Sequence, residues 1–253
     1  MNLAYNFRKG RVISLNIDLI SYENALERVV EEAKCRRQGY VCFANVHMTI
    51  ESYEDKYFAD QVNNASLVLS DGVPLVKVLK YFYGQLQDRI AGMDIFPDLI
   101  RLSDVNSLKV FFFGTTPEIL AGIRIRMERE FPNVKIVGLF SPPFDKSLDD
   151  DSYIKIINDS NANLVFVALG CPKQEKWMAT HSHKINSVLL GVGGAFPVFS
   201  GVTKRAPKLL QNLGLEWLYR LAQEPRRLFG RYLRTNTKFI FLVAKEKIRM
   251  FFH

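Results

Sequence analysis

No apolar run in this sequence approaches the ~20 residues that a bilayer-spanning helix needs. The best stretch, Ser187–Phe199, is short and broken by glycines and Pro197, and Phe239–Ala244 is shorter still. The chain is therefore expected to lie on a membrane at most, never to cross one. No secretory pattern opens it, and its three cysteines (Cys35, Cys42 and Cys171) have neither paired nor metal-ligand spacing. They read as reduced thiols of a cytoplasmic protein. The four histidines (His47, His181, His183 and His253) form no ligand grouping, so neither a metal nor a cofactor is expected. Internal repeats and low-complexity stretches are also missing, which leaves an ordinary globular chain of 253 residues with 48% hydrophobic content.

Acidic charge is scarce in one place only. From Lys204 to His253 there are 12 lysines and arginines against 3 acidic residues, while the whole chain carries +8. A near-neutral body thus ends in a basic tail, which calls for an anionic partner such as phosphate, lipid headgroups or nucleic acid.

From residue 11 onward, short apolar runs alternate with segments of helical spacing. The runs Val12–Ile17, Tyr40–Ala44, Ser66–Leu69, Lys109–Phe113, Val134–Leu139, Asn163–Leu169 and Ser187–Leu190 read as strands. Tyr22–Lys34, Leu75–Tyr83, Glu118–Glu130 and Tyr153–Asn158 read as helices, the first capped by Ser21. The alternation predicts an α/β fold with a largely parallel sheet flanked by helices, Rossmann-like, with ligands at the carboxyl ends of the strands. Runs apolar on both faces, such as Leu164–Leu169, fit strands covered from each side. After Gly201 the strand signals stop. The expected division is an α/β catalytic domain over 1–200 and a basic appendage of several short helices over 201–253.

Several polar or glycine-rich patches follow the strands. Asn45 and Thr49 lie just after the Tyr40–Ala44 run, and Asn45 can hydrogen-bond a sugar or simply cap the next helix. Asp71, in Ser70-Asp71-Gly72, can take a proton from a ligand hydroxyl, although alone it reads more readily as a helix cap. Arg89 can clamp phosphate or sit in solvent, and Asp94 can start a helix. Gln174 and Glu175, after Gly170-Cys171-Pro172, suit sugar hydroxyls or a first helical turn. Gly191, Gly193 and Gly194 allow close approach of a diphosphate, with Gly114 a weaker candidate of the same kind. Phe196 stands where a dinucleotide fingerprint would carry its third glycine, which speaks against the rival reading of a nucleotide-cofactor oxidoreductase. Asp149-Asp150-Asp151 sits in a polar linker and reads as a solvated helix start. A second rival, a non-enzymatic basic module for membranes or nucleic acid, leaves these strand-end patches unexplained.

Taken in order, FANVHMT (43–49), LSDGVPLV (69–76), RIAGMD (89–94), FFFGTTPE (111–118), GLFSPPF (138–144), LGCPKQEKWM (169–178), GVGGAF (191–196), SGVTKRAP (200–207) and GLEWLYRLAQEPRRLFGRYL (214–233) resemble the WecG/TagA/CpsF family of glycosyltransferases. The resemblance implies a metal-free, inverting transfer of an N-acetylmannosamine-type sugar from UDP. The implied acceptor is N-acetylglucosamine on undecaprenyl diphosphate, at the inner membrane face, in teichoic acid or other surface polysaccharide synthesis. It carries the catalytic Asp onto Asp71 and the site Asn and Gln onto Asn45 and Gln174. A threonine that some members place two residues before that Asn is Phe43 here. It also gives the tail a task, packing over the site and meeting the membrane. Arg220, Arg226, Arg227 and Arg231 would hold a lipid diphosphate, with Arg234, Trp217, Tyr219 and Phe229 nearby. Nucleic acid is not expected as a partner, and self-association stays open.

Overall fold

The computed structural model describes residues 7–84, 86–143 and 151–251. The chain begins with a hairpin, β1 (Lys9–Val12) and β2 (Leu15–Asp18), paired antiparallel. The expected single strand Val12–Ile17 is thus two strands, because the chain reverses at Ile13, whose φ is 58°. Burial of Val12, Leu15 and Ile17 holds the turn in place without the glycine or asparagine that usually marks one.

Helix α1 (Tyr22–Lys34) follows, with the Ser21 side chain accepting from the Asn24 amide at 3.2 Å. Then come β3 (Gly39–Ala44), α2 (Val46–Glu54), α3 (Lys56–Asn63), β4 (Leu67–Ser70), α4 (Val73–Tyr83), α5 (Gly92–Val105), β5 (Lys109–Gly114) and α6 (Pro117–Glu130). The chain continues through β6 (Lys135–Phe140), α7 (Asp151–Asp159), β7 (Leu164–Ala168), α8 (Lys173–His181), β8 (Val188–Gly191) and α9 (Ala195–Phe199). It closes with α10 (Lys208–Asn212), α11 (Glu216–Gln223) and α12 (Pro225–Phe251).

Strands β3 to β8 form one parallel sheet in the order β4-β3-β8-β7-β5-β6. Side chains alternate across a strand, so each inner strand feeds two cores. Phe111, Phe113, Val165 and Val167 join the core beneath α8 and the hairpin. Val110, Phe112, Leu164 and Phe166 join the opposite one, where Phe96 of α5 packs against Phe112, Phe166, Phe196 and Phe199. The α/β architecture with a parallel sheet flanked by helices is as expected.

The tail differs from its expectation. In place of several short helices it has two short ones and then α12, which runs unbroken for 27 residues. Pro225 starts α12, where a missing N–H costs nothing, and Gly230 meets no neighbour that would break it. Leu228, Thr235, Phe239 and Leu242 are its buried face, at spacings of one helical stripe. Phe239 and Leu242 belong to the same core as the sheet. Arg234 and Lys238 reach Glu51 and Glu54 of α2 at 2.5 and 2.6 Å and fix the helix over it.

Candidate active site

The chain goes from β3 to β4 on one side, while β8 flanks β3 on the other. Ligands of open α/β sheets bind at such a reversal, outside the carboxyl ends of the strands. A cleft of about 660 Å³ opens there. Its floor is made by the ends of β3, β4, β7 and β8, and residues 203–240 roof it.

Asp71 lies on the floor. Its backbone N–H donates to the Ala44 carbonyl at 2.9 Å, which ties the end of β4 to the end of β3. Helix α4 is capped by Gly72, not Asp71, and no side chain bonds that helix start. The carboxylate is therefore free of the capping task. Protein surrounds it, although part of its surface still meets the open cleft. Burial pushes it from 3.8 up to about 6; Arg89, Arg220 and a hydrogen bond from Asn45 pull downward, and Glu216 adds to the rise.

Asn45 performs the capping task and adds a bond to Asp71. Its Oδ1 accepts from the Met48 amide at 3.1 Å and so caps α2, which leaves its N–H groups to serve Asp71. Two other contacts explain how Arg89 reaches the site with no strand before it. The Ser70 hydroxyl donates to the Asp88 carbonyl at 2.8 Å, and the Ile90 amide donates to the Ser70 carbonyl at 2.8 Å. The segment 88–90 is thereby strapped to β4.

Arg89 does not face the cleft as a free cation. It binds Asp94 at 2.6 Å and Glu216 at 3.4 Å, and Arg205 binds the same two carboxylates at 2.6 and 3.2 Å. Four alternating charges close a ring that joins α5 to α11 across the cleft mouth. Sequence reasoning did not find this ring. Arg205, Asp94 and Glu216 sit in segments that the resemblance matched, but nothing in their spacing says that they meet.

On the β7 and β8 side, a cis Cys171–Pro172 peptide precedes α8. Gln174 and Glu175 are buried in its first turn. Gln174 Nε2 donates to Glu175 Oε1 at 2.6 Å and to the Gly191 carbonyl at 2.9 Å. A Cβ on Gly191 would lie 2.7 Å from Met178 Cε, and one on Gly193 would lie 2.8 Å from Gln174 Oε1. On Gly194 it would lie 3.0 Å from an Arg220 nitrogen. The three glycines thus make room for the protein's own Gln174, Met178 and Arg220.

Arg220, Arg227 and Arg231 line the roof. Arg227 is paired with Glu224 at 2.5 Å, whereas Arg220 and Arg231 have no carboxylate within salt-bridge reach among the described residues. His47 also lines the cleft; burial, then the Arg231 charge, push its pKa down, against the pull of Glu51.

Residues 11–251 match the family described as Glycosyl transferase WecG/TagA/CpsF family. The chain belongs to this family. A relative from Bacillus subtilis (strain 168) is 31% identical over 235 residues, covering 92% of this chain and 89% of its own. Relatives from Staphylococcus aureus strains MW2 and NCTC 8325 are each 30% identical over 212 residues, covering 82% of this chain and 80% of theirs. All three are named N-acetylglucosaminyldiphosphoundecaprenol N-acetyl-beta-D-mannosaminyltransferase. The protein is thus a glycosyltransferase, and the readings as an oxidoreductase or as a non-enzymatic basic module fall away.

Among the family-matched positions, Asp71, Asn45, Gln174, Glu175, Arg89, Gly191, Gly193 and Gly194 converge on the cleft, with Arg220, Arg227 and Arg231 above. Three expected site residues lie elsewhere. Thr49 is fully buried inside α2, where its hydroxyl donates to the Asn45 carbonyl at 2.9 Å. Gly114 packs against β7, and a Cβ on it would sit 2.4 Å from the Ala168 carbonyl oxygen, so its glycine serves the sheet. Arg226 is exposed on α12 and is not among the residues that line the cleft. Asp149 and Asp150 lie outside the described residues; Asp151 opens α7 and pairs with Lys184 at 3.3 Å. Among the described residues, no three His, Cys, Asp or Glu side chains converge as a metal site.

Proposed function

We propose that the protein transfers an N-acetylmannosamine-type sugar from UDP to N-acetylglucosamine on undecaprenyl diphosphate, with inversion and with Asp71 as general base. The observation that carries this reading is the carboxylate of Asp71, unused by any helix cap and raised to about 6 on the cleft floor. A carboxylate with that pKa is still ~90% ionised at pH 7, yet it is a stronger base than an ordinary Asp.

In this reaction the acceptor hydroxyl oxygen bonds to the anomeric carbon as the bond from that carbon to the UDP oxygen breaks. The hydroxyl proton passes to Asp71, and UDP leaves with the bonding pair. Arg220, lying on the Gly191–Gly194 loop, suits the donor diphosphate, and Arg231 has its fork free for a phosphate. Asn45 orients Asp71, and Gln174 shapes the opposite wall.

The lipid part of the acceptor calls for a membrane-facing roof. No helix among the described residues is long and apolar enough to cross a bilayer. Trp217, Leu218, Phe229, Leu233, Ile240 and Phe241 are nevertheless exposed on α11 and α12 beside the arginines. Aromatic, aliphatic and basic side chains together favour an interfacial position at the inner membrane face.

The test is a donor screen with purified protein and a short-chain lipid diphosphate bearing N-acetylglucosamine, read by mass spectrometry. The expected result is a product heavier by one N-acetylhexosamine with the UDP-N-acetylmannosamine donor, and a loss of ~10²–10⁴-fold in rate for Asp71→Asn. Near-full transfer by a folded Asp71→Asn variant would sink the assignment of the base.

A further inference from the structure

Glu175 is a carboxylic acid with no surface exposure at all, in the wall of the transfer cleft. Its neighbour Gln174 has both amide hydrogens committed, one to Glu175 Oε1 and one to the Gly191 carbonyl. The Gly191 carbonyl can only accept, so the Gln174 nitrogen must face it and Gln174 Oε1 must face Gly193. Two buried oxygens are then left with no hydrogen-bond donor, Gln174 Oε1 and Glu175 Oε2. An ionised Glu175 worsens this shortage, because a carboxylate only accepts. A protonated Glu175 supplies one O–H.

The titratable groups that face Glu175 offer it no compensating charge. They are the thiols of Cys42 on β3 and Cys171 before α8, both pushed well up by burial and therefore neutral. No lysine, arginine or histidine acts on it among the described residues. Burial accordingly raises Glu175 to about 7, against the pull of hydrogen bonds from Gln174, from its own backbone N–H and from the Cys171 thiol.

We infer that Glu175 is a positioning residue for sugar transfer: its protonated carboxyl locks the Gln174 amide against Gly191 and thereby fixes the Gly191–Gly194 loop and the Arg220 guanidinium resting on it. Loss of the proton leaves a lone charge beneath that loop and loosens it. The inference rests on the proposed transfer reaction for its kinetic readout alone.

Two variants separate positioning from mere structure. Glu175→Gln is a permanently neutral copy of the protonated acid, with a carbonyl for Gln174 and an N–H₂ where the O–H was. Glu175→Ala removes the anchor. Four measurements decide. First, a wild-type-minus-Glu175→Gln infrared spectrum should carry the carbonyl stretch of a protonated carboxyl at about pH 6 and lose it by about pH 8.5. Second, wild-type kcat/KM should fall on an alkaline limb near pH 7 that Glu175→Gln lacks, with Glu175→Gln within about threefold of wild type at pH 6. Third, Glu175→Ala should lose ~10–100-fold, the scale of a misplaced binding wall. UDP affinity by calorimetry should follow the same pattern. An alkaline limb unchanged in Glu175→Gln, or a folded Glu175→Ala with wild-type kinetics and UDP affinity, would overturn the inference. If the wild type transfers no sugar, the proposed reaction fails, and the pH dependence of UDP affinity in wild type against Glu175→Gln still decides the role of Glu175.

Discussion

Replacing Asp71 by Asn should stabilise the protein at alkaline pH while it destroys transfer. Burial is the largest influence on Asp71, and the net effect raises its pKa from 3.8 to about 6 in the folded protein. The folded state therefore holds this proton more tightly than the unfolded chain does. Stability linked to it is fully present below pH ~4 and is lost as pH rises through about 6. A rise of roughly two units corresponds to ~3 kcal/mol once both states are ionised. Asp71 still touches the open cleft, and solvent screening there brings the figure down to ~1–3 kcal/mol. For a chain of this size that is a rise of ~2–10 °C in melting temperature. Asn has nearly the same shape, keeps an oxygen for the Asn45 amide, and never carries the charge. Thermal unfolding of both proteins at pH 4 and pH 8 measures the effect. Asp71→Asn should melt higher at pH 8 and within about 1 °C of wild type at pH 4. An equal difference at both pH values, or a lower melting point at pH 8, would refute the argument that burial penalises this charge.

Three further substitutions probe the surroundings. Glu216→Gln opens the ring of Arg89, Asp94, Arg205 and Glu216, whose side chains are all mostly buried. It should cost ~1–3 kcal/mol in chemical denaturation, because two arginines lose a charged partner. It should also move the acid limb of the pH–rate profile downward, since Glu216 is one of the groups that raise Asp71. Gly114→Ala should cost ~3 kcal/mol or more in urea unfolding, with a φ of 108° and a Cβ 2.4 Å from the Ala168 oxygen. Gly170→Ala, at φ 80° with open space around it, should cost only ~1 kcal/mol. Equal costs at the two glycines would mean that backbone conformation alone, and not the contact with β7, explains Gly114.

Much of the fold was legible because its signals are periodic. Helix α1 runs over the expected residues, and β3 to β8 lie within a residue or two of the apolar runs. What escaped depends on contacts distant in sequence. The turn at Ile13 has no turn chemistry of its own; it exists because Val12 and Leu15 are both buried. The length of α12 was hidden for a similar reason. Its arginines and scattered apolar residues look like several pieces until α2 and the cleft supply partners for Leu228, Phe239 and Arg234. The glycines of 191–194 were legible as a place of close approach, but the sequence could not say whether a ligand or the protein's own Gln174 and Arg220 makes that approach.

The sharpest difference concerns Asn45 and Asp71, which the sequence presents alike: a small polar residue between a strand and a helix. A shift of one residue separates their fates. Asn45 is the residue directly before α2, so its Oδ1 is spent on the Met48 amide and only its N–H groups remain for the site. Between Asp71 and α4 stands Gly72, which takes the cap position and has no side chain to fill it. Helix boundaries read from sequence are uncertain by more than one residue, so no pattern could assign the two roles. With Gly72 as cap, the Asp71 carboxylate is left without a structural partner at the helix start and stays in the cleft beside the Asn45 amide. The chemistry of the site thus rests on a helix start that goes without a side-chain cap, its first turn held instead by Pro74, which has no N–H to satisfy.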